Sequence, residues 1–476
     1  MLENDLKTYL GFDEFRLGQK EVVEAAVAGE DTFVMLPTGS GKTVCFQLAG
    51  YLREGLVVII SPLLSLMQDQ VERMKVYGEK RVVALNSFLN ANEKTTILNQ
   101  LERYKFVFIS PEMIQQEHVL AAFQRQKIGL FVIDEGHCIA QWGPDFRPDY
   151  LQLGAVRETL NYPVTMVLTA TATETVRAET QKVLNLKNMK QFIYSVNREN
   201  IAYKVITCEQ RKDKDTELLK LVKELEGPGI IYFSSRQKCQ DMSLLLSERL
   251  NLDVAYYHGR MDPADRIAIQ QQFTHHQLDI ICATSAFGMG IDVPDIRFVI
   301  HYHPAQNIES FVQEAGRAGR DGKPSLSISL CHQESDYYLA QSLSVRDLPD
   351  YNTILNPQSY TREALENNWV TDTQWRFLKT YKEMGFNPNA IWEVVQARQT
   401  LKKEQIDAYF KWLQTTQCRR DRLLRFFGEA DIHQEFQCCD NCDLDESIYH
   451  KVANDFTKVV KNDWKKTLWE MFVKKM

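Results

Sequence analysis

Asp134-Glu135-Gly136-His137-Cys138-Ile139-Ala140-Gln141-Trp142-Gly143-Pro144-Asp145-Phe146-Arg147 is the stretch on which the reading of this 476-residue chain turns. It follows an apolar run, Leu130-Phe-Val-Ile133, that reads as a buried strand. Two adjacent carboxylates at the end of such a strand suit a metal-bound nucleotide. The Trp, Phe and Arg that come next suit stacking on exposed bases and contact with a charged backbone. Asp134 is expected in a Mg²⁺ shell, and Glu135 is expected to orient and polarise an attacking water. An acidic pair also favours a helix N-terminus. The segments upstream weigh against that simpler reading.

Working towards the N-terminus, Asp31-Thr-Phe-Val-Met-Leu36 reads as a short strand, Pro37-Thr-Gly-Ser-Gly-Lys42-Thr43 as a glycine loop, and Val44 to Leu52 as a helix. Strand, glycine loop and helix in that order are the context a phosphate loop needs. Thr38, Gly39, Ser40 and Gly41 would close main-chain N–H groups on phosphate oxygens, with the helix N-terminus adding positive potential. Lys42 would reach the β- and γ-phosphates and Thr43 the magnesium. Leu56 to Ile60 and Phe106 to Ile109 are further buried strands, each ending in Ser-Pro, and Val164 to Leu168 leads into Thr169-Ala-Thr171-Ala-Thr173. Polar residues at the carboxyl ends of parallel strands lie where open α/β sheets bind ligands. The threonine hydroxyls are placed to relay between lobes or merely to cap. Residues 1–30 read as helices.

The totals set the frame. This length favours two or three domains. The net charge of −7 argues against a protein wrapped in nucleic acid all over, although not against a local basic groove. No apolar run of about 18 residues occurs, so no membrane span is expected. Met1 to Leu10 has neither the basic nor the apolar region of a signal peptide. The ten cysteines sit mostly singly in apolar segments, among them Cys45, Cys282 and Cys331, which suits reduced cytosolic thiols. A C-terminal group, Cys418, Cys438, Cys439 and Cys442, is the exception.

A charged stretch, Glu209 to Asp215, places a lobe boundary near 200–206, after which strand and helix alternate again through Gly229–Phe233, Val254–Tyr257 and Asp279–Thr284. No second phosphate loop occurs there. Gln313-Glu-Ala-Gly316-Arg317-Ala-Gly319-Arg320 sets two arginines three apart, which on one helix turn share a face and suit a γ-phosphate. A solvated arginine pair has the same spacing.

Taken together and in this order, the motifs resemble those of superfamily 2 helicases, and specifically the RecQ family, over roughly residues 10–335 and again over 417–445. The fold this implies is α/β: two tandem RecA-like parallel-sheet lobes (1–204 and 205–342), then a helical zinc-binding subdomain (343–446) and a basic C-terminal helix (447–476). Phe15-Arg-Leu-Gly-Gln19 resembles the family's adenine-reading motif, which implies Gln19 on the adenine edge flanked by Arg16 and Phe12. Asp134-Glu-Gly-His137 stands where the family has Asp-Glu-Ala-His. Gln141 to Pro148 is similar to the family's aromatic-rich loop, which implies that His137, Trp142, Phe146 and Arg147 couple single-stranded DNA to hydrolysis. Gln313 to Arg320 resembles the last helicase motif, which implies Gln313 at the nucleotide, Arg320 as the arginine finger and Arg317 assisting.

Beyond residue 340 the chain reads as helices at Tyr360–Asn367, Thr373–Met384, Ala390–Thr400 and Glu404–Leu413, in a stretch longer than the family's link to its zinc subdomain. Cys418 to Glu429 resembles the zinc-binding helix. The cysteines that follow are irregular, and two ligand sets stay open: Cys418, Cys439 and Cys442 with Asp445, or the same three with Cys438. Adjacent cysteines chelating one ion are expected to be strained. Arg419, Arg420, Arg422 and Arg425 are candidates for phosphate contact or a solvated face. From 458 to 476 six lysines stand against Asp463 and Glu470. Only 31 residues follow Asp445, so a short form lacking the family's winged-helix and C-terminal helical modules is expected. The resemblance implies an ATP-dependent 3′-to-5′ DNA helicase using ATP, Mg²⁺ and Zn²⁺, acting on single-stranded and tailed duplex DNA in repair and recombination. It would work in the cytoplasm, at the nucleoid if bacterial, beside single-strand-binding or other repair proteins. An RNA helicase, and a strand-annealing factor that uses ATP only as a clamp, are the alternatives.

Overall fold

In a computed structural model the chain is described for residues 2–62, 64–86, 89–141, 148–288, 293–429 and 437–451. The aromatic loop residues Trp142, Phe146 and Arg147, and the segment 452–476, lie outside the described residues.

Seven strands form the first sheet: β1 (Thr32–Met35), β2 (Leu56–Ile60), β3 (Val82–Leu85), β4 (Phe106–Ile109), β5 (Ile128–Ile133), β6 (Thr165–Thr169) and β7 (Lys190–Ile193). Their order is β3-β4-β2-β5-β6-β1-β7, with every neighbouring pair parallel. Helices cover both faces, which is why the strands are continuous apolar runs rather than alternating ones. Successive side chains still part to opposite sides: Phe33 and Met35 enter one core, Val34 and Leu36 the other.

The second sheet holds β8 (Ile201–Thr207), β9 (Gly229–Tyr232), β10 (Val254–Tyr257), β11 (Ile280–Ala283), β12 (Phe298–His301) and β13 (Ser325–Cys331), in the order β10-β11-β9-β12-β13-β8. It too is parallel throughout. β8 pairs with β13 from Ile201↔Ser325 to Thr207↔Cys331. A lobe boundary at 204/205 therefore cuts through a strand and is corrected to the connector 194–200. The charged stretch that suggested the later boundary instead opens the helix Asp213–Glu224, where acids favour the first turn.

After β13 the chain is helical. The expected pair Ala390–Thr400 and Glu404–Leu413 is one 26-residue helix, Pro388–Leu413. Leu401-Lys-Lys403 between them are good helix formers with no Gly or Pro to stop the turn. The Tyr360–Asn367 reading is also corrected: Tyr360 closes a 3₁₀ turn and the helix runs Arg362–Glu366. The C-terminal half of the long helix docks on the second lobe through rings, Trp412 lying 4.6 Å from Phe311 and 6.3 Å from Tyr203. Farther up, Ile391 and Val395 pack with Leu348, Ile354, Phe377, Leu378 and Tyr381 in a small separate core that also touches Leu151 of the first lobe. Among the described residues no helix is long and apolar enough to cross a membrane.

Candidate functional site

The phosphate loop lies between β1 and the helix Lys42–Leu52. Gly39 and Gly41 have φ of 81° and 82°, a left-handed geometry that glycine enters without penalty. Gly41 caps the helix with no side-chain bond, leaving the first N–H groups to a ligand. Gln19 is buried; its Oε1 accepts from the Arg16 N–H at 2.9 Å and its Nε2 donates to the Ser40 and Gly41 carbonyls at 3.0 and 3.1 Å. Arg16 Nη1 donates to the Gly39 carbonyl at 2.8 Å, and Phe12 is half exposed beside this group in sequence. The adenine-motif residues thus brace the loop itself. Ser40 Oγ is buried with no hydrogen-bond partner among the described residues, as fits a loop shaped to meet phosphate oxygens. Lys42 Nζ donates to the Leu36 carbonyl at 3.1 Å, and burial holds its pKa below the usual lysine range against the pull of Glu135 and Asp134. Thr43 is the second residue of the helix.

The carboxylate pair follows β5. The Asp134 N–H donates to the Ile60 carbonyl and that of Gly136 to Leu168, so the turn is tied to β2 and β6. Glu135 takes φ 53°, a conformation costing an ordinary residue about 1–2 kcal/mol; such strain persists where the surroundings impose it and clusters at functional sites. A side-chain carbon on Gly136 would stand 2.2 Å from Val167 Cγ1, so the glycine that replaces the family's alanine is what this packing admits. Burial, then the neighbouring Glu135 charge, raises the Asp134 pKa well above the usual range, with Lys42 opposing. A buried carboxylate of this kind, beside Lys42 of the phosphate loop, is a fitting anchor for a divalent cation.

His137 is buried and held neutral by desolvation. Its Nδ1 lies 3.0 Å from Thr169 Oγ1 and 3.3 Å from Glu135 Oε2. Gln313 Nε2, from the second lobe, donates to Thr171 Oγ1 at 2.8 Å and lies 3.4 Å from His137 Nε2. Glu135, His137, the threonine loop and Gln313 therefore form one polar chain across the cleft. Thr169 and Thr171 thus lie between the lobes, whereas Thr173 caps the helix Glu174–Val183, its Oγ1 accepting from the Val176 N–H at 3.4 Å.

The two arginines do not share a helix face. The helix ends at Ala315, and the turn that follows, with Gly319 at φ 55°, separates them. Arg317 is buried and donates to the Gly288 carbonyl inside its own lobe. Arg320 reaches the phosphate loop, where a side-chain carbon on Gly39 would stand 3.4 Å from its Cγ, and its charge is felt at Lys42.

In the third segment Cys418, Cys438, Cys439 and Cys442 bring their sulfurs within 4.8 Å of one another. Tetrahedral zinc with Zn–S near 2.3 Å wants sulfurs about 3.8 Å apart; Cys418–Cys438 is 3.4 Å and Cys439–Cys442 3.5 Å. The adjacent pair joins the group after all, because Gln437 at φ 52° turns the chain just before it. Asp445 does not: its carboxylate caps a 3₁₀ turn, accepting from Ser447 N and Oγ at 3.0 and 2.6 Å. The Cys438 thiol, by hydrogen bonding, pulls the Cys439 pKa below its ordinary value, so one sulfur is ready to serve as a thiolate ligand. The phosphate reading of the nearby arginines fails for Arg419 and Arg420, both buried and bonded internally, Arg419 to Asp440; Arg425 pairs with Asp421 at 2.8 Å.

Sequence reasoning missed Arg198, Asn200, Arg398 and Glu429. Arg198 donates to main-chain carbonyls of both lobes, and Arg398 Nη2 donates to the Ala140 carbonyl at 3.0 Å, two residues before Trp142. Arg198, Asn200 and Arg398 lie in no motif, Glu429 closes the Cys418–Glu429 stretch without a role assigned to it, and only the folded contacts reveal what they hold.

Residues 16–178 match the DEAD/DEAH box helicase family, 213–322 the helicase conserved C-terminal domain and 376–444 the RecQ zinc-binding family. The chain is 39% identical to the probable ATP-dependent DNA helicase RecS of Bacillus subtilis, over 99% of this chain and 98% of that protein. It is 32% identical to the ATP-dependent DNA helicase RecQ of Haemophilus influenzae over 92% of this chain, spanning 62% of that longer protein. Of the RecQ-like DNA helicase blm-1 of Caenorhabditis elegans it spans 34%, at 39% identity. Among solved structures, Mycobacterium smegmatis helicase Lhr bound to ssDNA and AMP-PNP superposes at TM-score 0.60 and 17% identity, covering 86% of this chain and 57% of that one. The DEAD-box helicase Mss116 bound to ssRNA superposes at 0.60 and 15%, covering 81% and 89%. At those identities the likeness is one of fold.

Proposed function

From the premise that this chain belongs to the RecQ family of ATP-dependent DNA helicases, we propose that it couples ATP hydrolysis in the cleft between its lobes to 3′-to-5′ movement along single-stranded DNA, and so opens tailed duplexes. The observation that carries this reading is the polar chain that runs from His137, beside Glu135, through Thr169 and Thr171 to Gln313 and joins the two catalytic lobes across the cleft. Lys42 and the loop N–H groups would hold the β- and γ-phosphates. Asp134 and Thr43 would hold Mg²⁺, which when bound draws charge from the phosphates. Glu135 would orient the attacking water, and Arg320 would neutralise charge developing on the γ-phosphate, an effect worth roughly 10³–10⁵ in rate.

Trp142, Phe146 and Arg147 are assigned to the DNA by the chemistry of their sequence, stacking on bases being worth about 1–3 kcal/mol each. Both flanks of their loop are held: Ala140 by Arg398, and the Asp149 carbonyl by Gln115 Nε2 at 2.7 Å. The four-cysteine cluster would hold Zn²⁺ in a closed structural site. No disulfide joins the described cysteines, which suits a reducing cytoplasm, with repair and recombination as the setting and single-strand-binding or other repair proteins as partners.

The test is strand separation on 3′-tailed and 5′-tailed duplexes with ATP. Opening of the 3′-tailed duplex alone, abolished by Lys42→Ala, is expected. DNA-stimulated hydrolysis without separation on either duplex would reduce the protein to a translocase. Stimulation by RNA in place of DNA would overturn the substrate.

A further inference from the structure

The peptide joining the lobes is gripped from both sides. Arg198 Nη1 donates to the Thr38 carbonyl of the phosphate loop at 3.1 Å and to the Gly316 carbonyl of the second lobe at 3.1 Å. Its Nη2 donates to the Ala318 and Gly319 carbonyls at 3.3 and 2.7 Å. Asn200 Nδ2 adds bonds to the Gly319 and Lys323 carbonyls at 2.7 and 2.8 Å, and Thr38 Oγ1 donates to the Gly316 carbonyl at 2.9 Å. These acceptors belong to the phosphate loop and to the turn that carries Arg317 and Arg320. A guanidinium is a flat fork of five donors in fixed geometry, so one side chain sets the spacing of both loops at once.

Behind Arg198 stands the helix Arg419–Phe426, which Cys418 caps. Arg420 is fully buried; its Nη1 donates to Asn197 Oδ1 and the Arg198 carbonyl at 2.6 and 2.9 Å, and its Nη2 to the Ile201 and Cys438 carbonyls. Just beyond that helix, Glu429 accepts from the Val196 N–H at 2.9 Å and from the Ser195 hydroxyl.

We infer that Arg198 is a positioning residue for hydrolysis: it fixes the arginine-bearing turn against the phosphate loop, and Arg420 fixes the backbone from which Arg198 reaches. This rests on the ATPase reading above and deepens it. The cysteine-bearing segment thereby has a direct mechanical route to the nucleotide cleft, through two arginines and one peptide. The Arg198 guanidinium is engaged by four main-chain oxygens and, at 3.5 Å, the Thr38 hydroxyl, which assigns it to bracing the two loops rather than to holding nucleotide. Its loss should spare nucleotide affinity and misplace Arg320, and misplacement of about 1 Å costs roughly 100-fold in rate.

The experiment measures DNA-stimulated ATP hydrolysis and binding of a fluorescent ADP for the full chain, Arg198→Ala, Arg198→Lys, Arg420→Lys and the double variant Arg198→Ala/Arg420→Lys. Arg198→Ala is expected to lower kcat by about 100-fold with KM and ADP affinity changed less than about threefold, Arg198→Lys recovering only part because it lacks the fork. Arg420→Lys should lower kcat alone yet add nothing to Arg198→Ala, the non-additivity of a shared route. Should Arg198→Ala fail to bind ADP, Arg198→Lys decides. Unchanged kcat, equal losses in kcat and affinity, or additive effects of the two arginines would each overturn the inference. If the unaltered chain hydrolyses no ATP, the parent reading falls instead.

Discussion

Gly136 and Val167 occupy one space: a methyl group at 136 would lie 2.2 Å from Val167 Cγ1. Overpacking of this kind costs typically about 1–3 kcal/mol. Gly136→Ala should therefore lower the melting temperature and kcat, because the carboxylate turn is displaced, and Gly136→Ala/Val167→Ala should recover much of both. Recovery of neither would show that the clash is relieved elsewhere. The raised pKa of Asp134 has a separate consequence. Proton and cation compete for the same carboxylate, and the raised value brings that competition towards neutrality. The Mg²⁺ concentration for half-maximal hydrolysis should rise as pH falls from about 8.5 to about 6, and level off above that range. A requirement flat across this range would mean that Asp134 is not the anchor.

At the scale of elements, the cysteine segment makes the sharpest claim. With four sulfurs within 4.8 Å and Asp445 engaged with Ser447, Cys438→Ser should lower bound zinc, measured as metal per chain, while Asp445→Ala leaves it unchanged. The opposite pattern would restore the carboxylate set. This is also where the sequence was hard to read. Adjacent cysteines look incompatible with one ion until the left-handed turn at Gln437 is seen, and no residue type announces that turn. The strand–loop–helix around Lys42 and the strand before Asp134 were legible because their chemistry is local and contiguous. The separation of Arg317 from Arg320 was not, since it depends on where a helix stops among small residues that also occur inside helices. Arg198 was unreadable for a different reason. Every hydrogen-bond partner described for its side chain lies more than a hundred residues away, and the strongest of those bonds go to main-chain oxygens, which every residue has.

For the whole molecule, the helical third segment bridges both lobes. Its base packs rings against Phe311 and Tyr203 of the second lobe, and its tip reaches Leu151 and the Ala140 carbonyl of the first. Movement of the lobes must therefore be felt at both shoulders of the aromatic loop. Arg398→Ala should reduce the stimulation of hydrolysis by DNA while leaving the DNA-free rate in place, and Trp142→Ala should do so more completely. A loss of the DNA-free rate in Arg398→Ala would assign that contact to folding rather than coupling.

One more consequence lies at the rim of the second sheet. β8 is its outermost strand, and residues 438–440 lie along it: Tyr203 N–H donates to the Cys438 carbonyl at 3.2 Å and Asp440 N–H to the Tyr203 carbonyl at 3.0 Å. An uncovered strand edge is a template for pairing with a second chain. The cysteine cluster keeps that cover in place, so its metal would act as a guard of solubility. Chelator-treated protein should turn turbid on mild warming, before its first lobe melts.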